Sequence, residues 1–213
     1  MTHPIEAFRT HFAACPLVAI IRGVTPSEVE AIGDALVEAG IRIIEVPLNS
    51  PDPFASIERL AKRLGDDALI GAGTVLQVGQ VASVADSGGR IIVSPNTDTQ
   101  IIAATVAAGL VSSPGYFTPS EGFAALRAGA HVLKLFPAEA ASPDVIKAHR
   151  AVLPRDLALL VVGGITPSGM AAYRTAGANG FGLGGALYRP GQSAAEVAAQ
   201  ARGFVAALQE VPR

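Results

Sequence analysis

A chain of 213 residues, half of them hydrophobic and only 16% charged, carries enough apolar surface to bury a large core, which excludes an intrinsically disordered protein. Its 16 Lys and Arg against 18 Asp and Glu leave a formal charge of −2, so no basic face for a nucleic-acid backbone is expected. The single cysteine, Cys15, excludes an intrachain disulfide, and no Cys/His spacing resembles a zinc site, so a reducing, cytoplasmic setting is expected.

The chain opens on Met1-Thr-His-Pro-Ile-Glu, without the apolar run of a signal peptide, and this stretch is expected to stay on the mature protein. Residues 5–14 read as an extra helix ahead of the first strand, laid across the bottom of the fold. Short β-branched runs then begin near Leu17, Ile43, Leu69, Ile91, Val111, Val132, Leu159 and Gly180, at intervals of 20 to 27 residues. Each interval holds one strand, one helix and two short loops, the size of a βα unit. Eight units predict an α/β architecture, a (β/α)8 TIM barrel with an extra N-terminal helix, and residues 1–213 as one domain. Several runs are wholly apolar, such as Leu159-Leu-Val-Val162, as strands covered on both faces should be. The eighth, Gly180-Phe-Gly-Leu, is assigned by position. Residues 194–208 read as the last helix. No apolar run approaches the ~18 residues of a membrane-spanning helix, so no membrane partner is expected.

Local punctuation agrees with this periodicity. Gly40, Gly109, Gly129 and Gly177 each follow a helical segment just before a strand, where a left-handed cap is expected. Thr25-Pro26, Thr118-Pro119 and Thr166-Pro167 read as a Thr cap followed by Pro at the first helical position.

In a barrel of parallel strands the loops after the strands share one rim, so polar residues far apart in sequence converge there. In chain order these are Arg22, Glu45, Asn49, Thr74, Asn96, Lys134, the pair Gly163-Gly164 and the pair Gly184-Gly185. Lys134 is the most informative. The other two lysines, Lys62 and Lys147, lie on polar helix faces, whereas Lys134 sits inside Val132-Leu-Lys-Leu-Phe136, where desolvation lowers an amine's proton affinity. A neutral amine can attack a carbonyl and form a Schiff base. The competing reading is a lysine held by a rim carboxylate for stability alone. Glu45, between Ile43-Ile44 and Val46-Pro47, is a carboxyl in an apolar strand, either a structural partner of Lys134 or a proton carrier beside it. Arg22 can grip a carboxylate by its forked donors, or simply pair with Glu45. The glycine pairs after the seventh and eighth runs stand where barrels commonly build phosphate sites from backbone N–H groups, although Gly163-Gly164 could instead relieve crowding. His3, His11, His131 and His149 share no ligand spacing, so neither a metal site nor a His-based triad is suggested.

These residues fall in motifs that span essentially the whole chain: Ala19-Ile-Ile-Arg-Gly-Val-Thr-Pro26, Glu45-Val-Pro-Leu-Asn-Ser-Pro51, Gly71-Ala-Gly-Thr-Val75, Ser94-Pro-Asn96, Lys134-Leu-Phe-Pro137, Val162-Gly-Gly-Ile-Thr-Pro167 and Gly182-Leu-Gly-Gly185. The series resembles the class I aldolases that split 2-keto-3-deoxy-6-phospho sugar acids. The resemblance implies Lys134 as the Schiff-base lysine, Glu45 as proton carrier, Arg22 and Thr74 near a pyruvate carboxylate, and Gly164, Gly184 and Gly185 near phosphate. It implies a phosphorylated 2-keto-3-deoxy sugar acid and pyruvate as small-molecule partners, no metal or organic cofactor, and a homotrimer. Asn49 and Val162 resemble the phosphogalactonate branch, whereas the phosphogluconate branch usually has arginine and threonine there; the gluconate epimer or dual specificity is the alternative. Many relatives carry serine at position 185, so Gly185 leaves a phosphate contact to the backbone. The rival readings are a noncatalytic phosphosugar-binding barrel and, on fold alone, an isomerase or epimerase. Lys134 separates them, since neither needs a buried neutral amine.

Overall fold

The computed structural model describes residues 2–210; Met1 and residues 211–213, included in the expected domain, lie outside the described residues. The chain runs α1 (Pro4–Ala14), β1 (Leu17–Ile20), α2 (Val29–Glu38), β2 (Ile43–Pro47), α3 (Pro53–Leu64), β3 (Leu69–Gly73), α4 (Val78–Asp86), β4 (Ile91–Val93), α5 (Thr99–Ala107), β5 (Val111–Ser113) and β6 (Gly115–Tyr116). It continues through α6 (Pro119–Arg127), β7 (Val132–Leu135), α7 (Pro143–Arg150), β8 (Ala158–Val162), α8 (Met170–Thr175), β9 (Gly180–Leu183) and α9 (Ala194–Glu210). Every strand pair is parallel, in the order β5-β4-β3-β2-β1-β9-β8-β7-β6. The barrel expected from the eight runs is therefore present, nearly closed.

The eightfold count needs one amendment. The fifth run is two short strands on either side of Pro114, β5 pairing with β4 and β6 with β7. Proline has no N–H to give to a ladder, so the run breaks there. The seam is held across the break, since His131 N donates to Ser112 O at 3.0 Å and Ser112 N donates to His131 Nδ1 at 3.0 Å. Lys134 N donates to Pro114 O at 3.0 Å.

Strand periodicity decides which side chains face inward. Val18 and Ile20 of β1, Ile43 of β2, Leu69 of β3, Ile91 and Val93 of β4, Val132 of β7, and Leu160 and Val162 of β8 form an inner cluster. Their neighbours Leu17, Ala19, Ile44, Val46, Ile70, Leu133, Leu135, Leu159 and Val161 join the larger cluster between sheet and helices. By the same alternation Glu45, two residues past Ile43, and Lys134, two past Val132, belong to the interior. The helix expected before the first strand closes the bottom: Ala7 and Phe8 of α1 pack into the inner cluster, with Ile5 and Phe12 against it.

The four helix-ending glycines take φ of +101° (Gly40), +72° (Gly109), +97° (Gly129) and +108° (Gly177), the left-handed caps expected. The Thr-Pro starts divide. Thr118 caps α6 in full, with Glu121 N donating to its Oγ1 while Glu121 Oε2 accepts from Thr118 N at 2.7 Å. Thr166 instead opens a short 3₁₀ turn, Pro167–Gly169, before α8. Thr25 caps no helix: Glu28 Oε1 accepts from Thr25 N at 3.0 Å, as in a capping box, but the Thr25 hydroxyl bonds Ser27 Oγ at 2.9 Å instead of accepting from Glu28 N, and α2 starts only at Val29.

Candidate active site

Parallel strands deliver all their C-terminal loops to one rim, and a cavity of about 580 Å³ opens there. The residues singled out in the sequence line it together: Arg22, Glu45, Thr74 and Lys134, then Val162, Gly163 and Gly164 after β8, and Gly184 and Gly185 after β9. Of the two rim asparagines, Asn96 is not on its wall, where Pro95 stands instead, and Asn49 acts through Arg22.

Lys134 and Glu45 are 7% and 2% exposed. Burial pushes the Glu45 carboxyl up to about 7 against the opposing pull of the Lys134 and Arg22 charges. Burial likewise lowers the Lys134 ammonium, with Arg22 acting in the same direction and Glu45 against it. The two do not touch as an ion pair: among the described residues the ion pairs are Arg42–Asp67, Lys62–Glu58 and Arg63–Asp34, all partly or largely solvated. Nor is Arg22 tied to Glu45. The close ion pairs that the stability-only readings of Lys134 and Arg22 supposed are not among these, though the Lys134 and Glu45 charges still attract. Glu45 Oε2 has no hydrogen-bond partner, a cost that a stability role would not explain. Room for this carboxylate comes from Gly73, where a Cβ would lie 1.9 Å from Oε2. Lys134 Nζ lies 4.8 Å from the centre of the Phe136 ring.

Arg22 is aimed by its neighbours. One terminal nitrogen donates to Asn49 Oδ1 and the other to Thr74 Oγ1 at 3.3 Å. Thr74 itself has φ +55°, a left-handed conformation rare for a β-branched residue and typical of strain held at a functional site. On the far wall Gly163 (φ +116°) and Gly164 (φ +62°) follow Val162, whose own side chain packs where a Cβ at Gly182 would lie 2.6 Å from Cγ2.

The sequence reading did not single out several residues of the wall, among them Phe136, Glu139 and Arg189. Glu139 belongs to a 3₁₀ turn, Ala138–Ala140, and a Cβ on Gly163 would lie 2.0 Å from its Oε2. The rule that collects residues beyond strand ends could have found both charged ones, since Glu139 follows β7 and Arg189 follows β9. Among the described residues no group of three or more His, Cys, Asp or Glu side chains could hold a metal, and no helix is long and apolar enough to cross a membrane. The histidines serve locally: His149 Nδ1 shares a 3.2 Å hydrogen bond with the buried Tyr116 hydroxyl.

The arrangement couples an amine of lowered proton affinity, a carboxyl that titrates near neutrality and a positioned guanidinium inside one cavity. Such a set can condense with a ketone, move protons and hold an anionic group.

Comparison with known proteins agrees in kind. Residues 9–199 match the family model for KDPG and KHG aldolase. The sequence is 49% identical to a protein of Rhizobium meliloti (strain 1021) named as a probable 2-dehydro-3-deoxy-6-phosphogalactonate aldolase, over 92% of each chain. It is 48% identical to the 2-dehydro-3-deoxy-6-phosphogalactonate aldolase of Escherichia coli (strain K12), over 92% of this chain and 95% of that one. A solved structure described as native KDPGal is 48% identical and superposes with a TM-score of 0.90, covering 92% of this chain and 95% of the other.

Proposed function

The chain belongs to the KDPG and KHG aldolase family, and on that premise we propose that it cleaves 2-keto-3-deoxy-6-phosphogalactonate to pyruvate and glyceraldehyde 3-phosphate through an imine on Lys134. The observation that carries the reading is the buried, unpaired Lys134 facing Glu45 across one cavity. Neutral Nζ attacks the C2 ketone, and loss of water leaves a protonated imine. The C3–C4 bond then breaks, its electron pair passing into the iminium to give an enamine, while the C4 hydroxyl proton goes to Glu45 and C4 becomes the aldehyde of glyceraldehyde 3-phosphate. Protonation at C3 and hydrolysis release pyruvate and restore the amine. Arg22, with Thr74, holds the substrate carboxylate, and the glycine pairs after β8 and β9 take the phosphate. The imine serves as the electron sink, so the cycle requires no metal or organic cofactor. A noncatalytic binding barrel would have no use for a desolvated lysine beside a carboxylate with a free oxygen.

Borohydride reduction in the presence of pyruvate tests this. The expected product is a reduced pyruvyl adduct on Lys134, located by mass spectrometry; an unmodified protein, or label on Lys62 or Lys147, overturns the mechanism. The resemblance to a family whose members are usually trimers supports a homotrimer, for which light scattering should return three times the chain's 21.7 kDa.

A further inference from the structure

The cavity wall carries three basic side chains, Arg22, Lys134 and Arg189, and the reading above employs only two. Arg189 follows the turn after β9, in which the Leu187 and Tyr188 amides both donate to Gly184 O, at 2.8 and 3.0 Å. Two further bonds fix it. Its backbone N–H donates to Gln192 Oε1 at 2.7 Å, and its Nε donates to Gly185 O at 2.9 Å. Both terminal guanidinium nitrogens are then left without a partner among the described residues. Gly185, whose carbonyl holds Nε, and its neighbour Gly184 border open space, for a Cβ on either would meet nothing within 4 Å.

The glycine cradle on this side offers backbone dipoles but no positive charge. Gly185 offers no hydroxyl, the backbone of Gly163, Gly164, Gly184 and Gly185 carries only dipoles, and the Glu139 carboxylate lies against Gly163 and Gly164. A dianion placed there lies near the Glu139 carboxylate, and a cationic side chain at the cradle would offset that repulsion. Arg22 is held by Asn49 and Thr74, on the β2 and β3 side. Only Arg189 is tied to the cradle itself.

We propose that Arg189 is the side chain that recognises the phosphate of the substrate, its terminal nitrogens binding two phosphate oxygens while Nε stays on the Gly185 carbonyl. Arg189 is exposed, and the Nε bond to Gly185 O is what gives its charge-assisted bonds a fixed direction. The proposal rests on the phospho sugar acid reading given above, and it makes Arg189 the determinant of preference for phosphorylated over unphosphorylated 2-keto-3-deoxy acids.

The test compares the parent with Arg189→Gln and Arg189→Lys on 2-keto-3-deoxy-6-phosphogalactonate and on the same acid without its phosphate. Arg189→Gln should lower the ratio of kcat/KM for the two substrates roughly 10- to 100-fold, the scale of hydrogen bonds to a charged group, chiefly through KM of the phosphorylated one. Arg189→Lys should restore part of the ratio. Calorimetric titration with inorganic phosphate gives a readout independent of turnover, and its Kd should weaken in the same order. An unchanged ratio and an unchanged phosphate Kd in Arg189→Gln, with pyruvate still trapped on Lys134, overturn the proposal alone. Failure of the parent to trap pyruvate overturns the imine reading instead, and the phosphate titration still decides the role of Arg189.

Discussion

Lys134 and Glu45 are both removed from water, and burial moves their proton affinities toward each other: the amine is lowered and the carboxyl raised to about 7. In the proposed mechanism Glu45, as the carboxylate, accepts the C4 hydroxyl proton, so kcat/KM should rise with pH through an acid limb near 7. Glu45→Gln should slow turnover about 100-fold or more, the ordinary scale of a general acid/base, and should abolish that limb while the fold persists. A near-parental rate, or an acid limb retained in the variant, would assign proton transfer to another group. Val162 bears, on the proposed function, on a different choice. The galactonate and gluconate substrates differ in the direction of the C4 hydroxyl, and the apolar Val162 offers it no partner. A missing bond to a buried hydroxyl costs about 1 to 3 kcal/mol, or roughly five- to 150-fold in kcat/KM. Val162→Thr should therefore shift the preference toward the gluconate epimer by an amount in that range. Equal rates on both epimers in the parent would mark a dual-specificity enzyme.

At the scale of elements, the sequence signals that succeeded are those in which a residue's own chemistry closes the local structure. The capping box at α6 is such a case: Thr118 and Glu121 satisfy each other's backbone donors. Thr118→Ala should cost about 1 kcal/mol, lowering Tm by about 2 to 4 °C in a chain of this size, with kcat unaltered because α6 lies outside the cavity. A fall in Tm well below this range would mean that the frame of bonds from Glu121 Oε2 to Phe117 N and Thr118 N holds the start of α6 without the hydroxyl. Thr25-Pro26-Ser27-Glu28 has the same pattern, yet Glu28 Oε1 also accepts from the Tyr188 hydroxyl at 2.9 Å, 160 residues away. That long-range bond competes for the carboxylate, and no local pattern could disclose it.

Across the whole molecule, the site is a cost borne by the barrel. Glu45 has its ordinary 4.5 in the unfolded chain and about 7 in the folded one, so between these values the folded state binds more protons than the unfolded. Its contribution to stability is therefore present in full below 4.5 and lost as pH rises through 7, amounting to about 3 kcal/mol. Glu45→Gln removes this titration. The variant's Tm relative to the parent should consequently climb between pH 5 and pH 8, as followed by thermal melts across that range. A Tm difference that stays flat with pH would show that the carboxyl is not desolvated in solution. The inner cluster and α1 supply the compensating burial from below the site.

Periodicity and punctuation in the sequence determined the repeating βα order, the helix across the barrel bottom and the inward parity of Glu45 and Lys134, because each depends on residues close together in the chain. The whole-chain motifs likewise carried the family resemblance, and the rim rule gathered Arg22, Glu45, Thr74, Lys134 and the glycine pairs that line the cavity. Tertiary structure alone decided that Lys134 and Glu45 stay apart rather than pairing, that Arg22 turns to Asn49 and Thr74, and that the barrel seam passes through Pro114 and His131. It also decided that Arg189 and Glu139 share the glycine cradle. These outcomes depend on which loops the closing barrel sets side by side, and on how many groups compete for each charge once water is excluded, and neither quantity is carried by local spacing.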